Sequence, residues 1–443
     1  MKKNLLFKTV LIAVCSMVLL SCSSEDDGGY KKYVKMNAPQ VKVQLTPSQR
    51  VFVNDNNAFT LNFLKIVNET DRSGKSFIYS PLSITYALAM VNDAATGTTE
   101  QELEQTLGFH EGGIQAVNEY CKKLIDNLPK ADEKVELDIA NAIFLNNKYT
   151  LKPEFQQDMK QYYNAAAEAL DFSSSKTLGH INDWCNKQTT GLIPTILDDL
   201  NPDAVTYLLN AIYFKADWAS QFNEKNTRTE TFTTETGKKK EMPMMYQDVL
   251  IWYMRNDTYS ALKIPYGNEL WSMTVMLPEE GKTTDDIINL LAEKGMDYPY
   301  YNYDYSYDGM GIEKLESDMF YECKVNLGIP RFETSSDTNE LPDGGLVSLM
   351  QKMGIKRAFD ADSAEIPNMA NVPVFISMMR QKAKIKVNEK GTEMTAVTVA
   401  EMFDTATFQY YPPTDFHANR PFVYVISERS SGAILAVGKF TGE

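Results

Sequence analysis

The stretch EKGTEMTAVTVAEMFDTATFQYY, Glu389 to Tyr411, runs for more than twenty residues without a proline, and after Lys390 its only charges are Glu393, Glu401 and Asp404. Its middle, Met394 to Ala400, is uncharged and has high β-propensity, the composition of a segment that takes up strand conformation and, left exposed, aggregates. Two outcomes are open: an ordinary sheet strand after Gly391, or a long loop with strand chemistry closed off by Pro412-Pro413. Just upstream, Ala383, Ile385 and Val387 alternate with Lys382, Lys384 and Lys386, which predicts a strand with one solvated face. Just downstream, Phe422 to Ile426 is an apolar run and a further strand.

Outward from there, Val205 to Phe214 is a nearly continuous apolar run, as expected of a strand buried on both faces, and Val135 to Leu145 alternates. Phe59, Phe63, Ile66 and Val67 recur at helical spacing. Ser80-Pro81 reads as a cap followed by a first-turn proline, opening a helix through Tyr86, Ala89 and Met90. Thr99 with Glu102 predicts a capping box, with Gly108 as the stop of that helix. Helices come first and strands concentrate later, so the fold class is α+β rather than a regular βαβ array. From about Gln44 there is no proline-rich or serine-rich linker and no repeat, so residues 44–443 are expected to form one domain.

The 443 residues carry Lys+Arg 44 against Asp+Glu 59, a net charge of -15. Such a surface repels phosphate backbones, so no nucleic-acid partner is expected. Three histidines, His110, His180 and His417, stand in no paired ligand spacing, and HExxH, CxxC, GxGxxG, GxSxG and Walker motifs are absent; the commonest catalytic signatures are missing, and no metal or cofactor is expected. His417 has no accompanying nucleophile signature. Six tyrosines between Tyr298 and Tyr307 read as a surface insertion, with glycan or peptide stacking as the alternative, and Lys238-Lys239-Lys240 as a solvated turn.

Lys2, Lys3 and Lys8 precede an apolar stretch, Val10 to Leu20, too short to span a bilayer, so residues 1–21 read as a signal peptide. Leu19-Leu20-Ser21-Cys22 resembles a bacterial lipobox, in which Cys22 is lipidated and becomes the new N-terminus. Residues 22–43 open with Ser23-Ser24-Glu25-Asp26-Asp27-Gly28-Gly29, an acidic flexible tether resembling the surface-export signal of some Gram-negative lipoproteins. The expected location is therefore the outer membrane, facing outside. Cys121, Cys185 and Cys323 are odd in number and irregularly spaced, so they read as core residues.

Glu389-Lys390-Gly391-Thr392-Glu393 followed by small residues resembles the hinge of a serpin reactive-centre loop, and Phe416-His417-Ala418-Asn419-Arg420-Pro421-Phe422 fits the serpin C-terminal signature. Ile78-Tyr79-Ser80-Pro81-Leu82-Ser83, the run from Asn210 to Trp218 with Phe222, Pro243-Met244-Met245 and Ile329-Pro330-Arg331-Phe332 resemble further serpin segments, in serpin order. The resemblance covers roughly 44–443. It implies three β-sheets, about eight to nine helices and an exposed reactive-centre loop at about 389–413. It also implies a monomeric suicide-substrate inhibitor: a protease attacks the loop, forms an acyl-enzyme, and is trapped when the cut loop inserts into a large sheet. About 15 inserted residues at ~1 kcal/mol per ladder hydrogen bond give ~15 kcal/mol before packing, enough to distort a protease of ordinary stability.

The hinge then comprises Glu389, Gly391, Thr392, Met394, Ala396 and Thr398. On insertion Thr392, Met394, Ala396, Thr398 and Ala400 face inward, and Met394 departs from the family's usual alanine. Ser80, Ser83 and Asn210 match a polar cluster beneath the opening strands, where Gln381 stands in place of the family's histidine, and Trp218 matches the tryptophan where insertion starts. Counting forward from Gly391 puts the reactive bond at Thr405-Ala406, with Phe403-Asp404 the runner-up; counting back from Phe422 lands near Tyr410. Thr405 suits elastase-like and subtilisin-like proteases, while Phe403 suits chymotrypsin-like and papain-like ones. Asp404-Thr405-Ala406 also resembles an O-glycosylation sequon. The competing expectation is a non-inhibitory serpin-fold binding protein at the cell surface; a glycan-binding lipoprotein would leave the loop unexplained.

Overall fold

A computed structural model describes residues 31–32, 39–296, 320–392 and 413–443. The tyrosine-rich stretch, Cys22, and the loop residues Met394, Ala396, Thr398, Phe403, Asp404, Thr405 and Ala406 lie outside the described residues.

Sixteen strands form two sheets among the described residues. The six-stranded sheet has the order β11 (Phe332–Asp337), β12 (Met378–Val387), β13 (Gly391–Thr392), β5 (Thr206–Asp217), β3 (Val135–Asn146) and β4 (Ala166–Leu170). The ten-stranded sheet runs β14 (Thr414–His417), β10 (Tyr321–Pro330), β7 (Lys239–Arg255), β8 (Tyr259–Pro265), β9 (Trp271–Pro278), β15 (Phe422–Glu428), β16 (Ile434–Phe440) and β2 (Phe77–Tyr79). Two more strands, β6 (Arg228–Thr233) and β1 (Lys31–Lys32), pair with β7. The 17-residue β7 pairs with β6 through its first part and with β8 through its last, so two of the three expected sheets are continuous. Its opening residues Lys239 and Lys240 are already strand, and only Lys238 of the lysine run lies in the turn.

Eight α-helices are described: α1 (Pro47–Thr70), α2 (Pro81–Ala94), α3 (Gly97–Leu107), α4 (Gly113–Asn127), α5 (Pro153–Tyr163), α6 (Ser175–Gln188), α7 (Thr284–Lys294) and α8 (Gly345–Met353). The central one is α2, largely apolar and buried almost throughout, wedged against β3, β5 and β16. Ser80 caps it by accepting the Ser83 N–H, and Pro81 occupies the first turn where no N–H is needed.

The cap of α3 differs from expectation. Thr96 is the N-cap and gives no side-chain bond. The free N–H groups of Thr98 and Thr99 are taken instead by the Glu365 carboxylate, at 2.7 and 3.3 Å. Glu102 points to another partner and accepts the N–H groups of Lys356 and Arg357. A tertiary carboxylate thus replaces the local box, while Gly108 ends the helix in the left-handed conformation as expected. Cys121, Cys185 and Cys323 form no disulfide with one another and are buried.

Candidate functional site

The six-stranded sheet is incomplete between β5 and β12. These strands pair in parallel only from Tyr207 with Met378 to Ala211 with Lys382, then part. At the far end the gap is closed by β13, where Thr392 pairs with Val387 of β12 on one side and Ala216 of β5 on the other, antiparallel to both. Between them lies an apolar slot of about 20 Å³, walled by Ile212, Phe214, Ala383 and Ile385 and floored by Ile426 and Leu435. The alternation that made β12 legible accounts for it: every second residue faces the slot and the intervening lysines face out.

Four predicted residues meet at the lower end, all fully buried. Gln381 accepts the Ser80 N–H at 3.0 Å through Oε1, and its Nε2 donates to Asn210 Oδ1 at 2.6 Å, with Ser83 Oγ and the Ser80 carbonyl each at 3.0 Å. Ser83 Oγ donates to the same Asn210 oxygen at 2.7 Å, and Asn210 Nδ2 continues to Asn141 Oδ1 at 2.7 Å. A glutamine suits the position because one amide offers both donor and acceptor. The bond between Gln381 and Asn210 crosses directly from β12 to β5, bolting together the two strands that diverge above it.

Trp218 stands apart from these four, at the upper end of the slot. Its indole N–H donates to the Asn388 carbonyl and its backbone N–H to the Lys390 carbonyl, both at 2.8 Å. Its ring stacks on Tyr266 at 4.4 Å and 9°. The Tyr266 hydroxyl in turn hydrogen-bonds Thr392 Oγ1 at 2.8 Å, and Thr392 is only 1% exposed. Gly391 is the one residue that fits its place, since a Cβ there would sit 2.1 Å from the Ala216 carbonyl oxygen.

Glu389, two residues ahead of Gly391, is buried and clamped. Its Oε1 accepts Arg331 Nη2 at 2.5 Å and Thr227 Oγ1 at 2.6 Å, and its Oε2 accepts Arg331 Nε at 3.2 Å. Burial pushes this carboxyl up, but the Arg331 and Thr227 hydrogen bonds outweigh it and hold it below the usual carboxylate range. Neither Thr227, Tyr266 nor Arg331 was assigned a role from sequence: they sit 162, 126 and 58 residues from their partners, and no local pattern encodes such pairings. His417 bonds Asn326 through Nε2 and packs edge-on against Tyr246.

The arrangement amounts to a strand site with its first two residues filled and its far end bolted. Residues 54–442 match the family model described as serpin (serine protease inhibitor). An uncharacterised serpin-like protein of Thermococcus kodakarensis is 31% identical over 394 residues, covering 88% of this chain and 85% of that one. The leukocyte elastase inhibitor of Homo sapiens is 29% identical over 398 residues, covering 87% and 98%. Among solved structures, the thermophilic serpin tengpin in its native state superimposes with TM-score 0.74 at 25% identity, covering 91% and 97%. Human thyroxine-binding globulin complexed with thyroxine does so with TM-score 0.73 at 25% identity, covering 88% and 98%.

Proposed function

The chain belongs to the serpin family, and on that premise we propose that it is a suicide-substrate protease inhibitor, held at the outer-membrane surface by a lipid on Cys22. The observation that carries this is the slot, already entered by Gly391 and Thr392. Insertion continued in the same register brings Met394 between Phe214 and Ile385, Ala396 between Ile212 and Ala383, and Thr398 between Asn210 and Gln381. Every inward residue then meets a matching wall: apolar against apolar along the slot, and a hydroxyl at the polar bolt. The outward Glu393 falls between Lys215 and Lys386. Met394 enters where the slot is lined by Phe214 and Ile385, and an unbranched, flexible side chain is the large one best able to fit there.

In this mechanism the chain's residues do no bond chemistry of their own. The target protease supplies the nucleophile, and this protein supplies the peptide bond and the strand site that takes the cleaved loop away before water reaches the ester. The bond we assign is Thr405-Ala406, and an elastase-like, subtilisin-like or papain-like protease is the partner; the likeness to a leukocyte elastase inhibitor supports the first. A second reading, a non-inhibitory binding member of the family, is favoured by the likeness to thyroxine-binding globulin. One experiment separates them: incubation with a panel of serine and cysteine proteases, followed by denaturing gels and melting curves. Inhibition requires a covalent complex that survives SDS and a melting temperature raised by tens of degrees once the loop is cut. Clean cleavage with an unchanged melting curve would leave the binding reading.

A further inference from the structure

Where β7 passes from one partner strand to the next, the sheet leaves an opening. Its edge pairs with β6 as far as Met244 and with β8 only from Trp252, and beside Tyr246, Gln247 and Asp248 no strand is paired on that side among the described residues. The turn Glu224–Asn226 stands across this gap, and together they enclose a cavity of about 310 Å³, completed by Arg228 of β6 and Asn326 of β10. Every side chain on its wall is polar or charged, so the cavity suits a water-soluble ligand and not an apolar one.

Part of that wall is already committed. Arg228 Nε donates to Glu230 Oε1 at 2.5 Å and its guanidinium lies over the Tyr246 ring at 4.1 Å, while the Tyr246 hydroxyl donates to Glu230 Oε2 at 2.6 Å. The charge of Arg228 is thereby compensated within its own set. Asn326 donates Nδ2 to Asp248 Oδ1 at 2.9 Å and accepts His417 Nε2 on its Oδ1 at 2.8 Å. Other groups are left over. The Lys225 ammonium and the Asn226 side-chain amide, both exposed, have no partner among the described residues. Gln247 accepts the Ser220 hydroxyl on Oε1 at 3.3 Å but keeps Nε2 buried without a partner. Against these uncommitted donors stands one uncommitted anionic oxygen, Asp248 Oδ2.

A ligand with only a negative charge would meet Asp248, and one with only a positive charge would meet Lys225; a ligand that carries both, a few bonds apart, meets an opposite charge at each end. We infer that the cavity is a binding site for a small zwitterion, a polar α-amino acid, whose carboxylate is taken by Lys225, Asn226 and Gln247 and whose ammonium is taken by Asp248. The Gln247 amide reaches the carboxylate by turning about its last side-chain bond, a soft torsion. The site lies at both feet of the loop. The connection from β5 to β6 that carries Lys225 also sends the Phe222 N–H to the Glu389 carbonyl at 2.9 Å and the Thr227 hydroxyl to the Glu389 carboxylate at 2.6 Å. Asn326 holds His417 of β14, beyond the loop's other end. A bound amino acid therefore ties that connection to β7 at the base of the hinge. Nothing in this assignment requires the chain to inhibit a protease.

The test is an NMR titration of the mature chain from residue 23 with L-serine and L-glutamine, with acetate and ethylamine as carriers of one charge each, repeated on Lys225→Ala and Asp248→Asn. Both substitutions fall on exposed side chains, and unfolding curves check that each variant is folded. At least one of the two amino acids is expected to bind in the millimolar range or tighter, with acetate and ethylamine at least tenfold weaker. Each substitution is expected to weaken it about tenfold, the equivalent of one charge-assisted hydrogen bond. No binding of either amino acid would overturn the site, and binding that survives both substitutions would put the ligand elsewhere and overturn it equally. Acetate bound as tightly as the amino acid would overturn the zwitterion. If no amino acid binds and Lys225→Ala slows protease trapping, the surface is a protease contact and the proposed ligand is wrong.

Discussion

Gln381→Ala is the substitution that most directly interrogates the bolt beneath the slot. It deletes the acceptor of the buried Ser80 N–H and the donor that reaches Asn210, Ser83 and the Ser80 carbonyl. An orphaned buried amide costs about 1–3 kcal/mol, and the lost bond across the strands adds ~1 kcal/mol. Asn210 Oδ1 keeps the Ser83 hydroxyl, so it adds little. A net loss of about 3 kcal/mol from the uncut state follows. If the bolt must open before the loop can pass, this loss raises the starting state and not the transition state, and spontaneous insertion accelerates by roughly a hundredfold, at about 1.4 kcal/mol per decade. The assay is retention of trapping activity over time, with urea unfolding in parallel. A lower unfolding midpoint with an unchanged insertion rate would refute the reasoning, because it would mean that the bolt stabilises the fold without lying on the path of the inserting strand.

Other outcomes follow from the upper end of the slot and from the loop. Thr392→Arg puts an unpaired charge where the side chain is now almost fully buried against Tyr266, so the variant should be cleaved as a substrate without forming complex; unchanged stoichiometry on a titration would refute the hinge assignment. Because the folded Glu389 carboxyl is held below its unfolded value of about 4.3, its stabilisation is complete above that pH and is lost as pH falls through the lower folded value. Acid melts should thus show a flat stability from neutrality to about pH 5 and a decline below about pH 4, which Glu389→Gln flattens. On reaction with elastase, mass spectrometry should find a C-terminal peptide beginning at Ala406; one beginning at Asp404 or Tyr411 would relocate the reactive bond and change the inferred protease class.

What could be read in advance was what strand and helix periods write locally. The lysine alternation fixed the two faces of β12, and Asn210 within β5 and Trp218 one residue past its end are an even eight residues apart, the spacing of one face of an extended chain. The grip on Glu389 by Arg331 and the stacking of Tyr266 on Trp218 were invisible, because they depend on which loops the topology brings to one edge of a sheet. The same blindness explains the α3 cap, where Thr99 and Glu102 had the right local spacing but the supporting carboxylate comes from Glu365, over 260 residues away. The inner end of the tether was misjudged for a related reason: Pro39, Gln40 and Val41 are held by single hydrogen bonds to distant turns, and a chain segment docked in that way carries no periodicity to detect.

The seated pair Gly391-Thr392 has a kinetic meaning of its own. Strand addition is ordinarily limited by finding the alignment, and a slip of one residue would turn every side chain over, driving Glu393 and Glu401 into the apolar interior. Here the alignment is set before any bond is cut: Gly391 can approach the β5 backbone only because it has no side chain, and Thr392 is pinned by a hydroxyl pair. Zipping from such a nucleus needs no search and no correction. If the chain inhibits as proposed, the race against hydrolysis of the acyl-enzyme is then run by propagation alone, one residue at a time from a fixed origin.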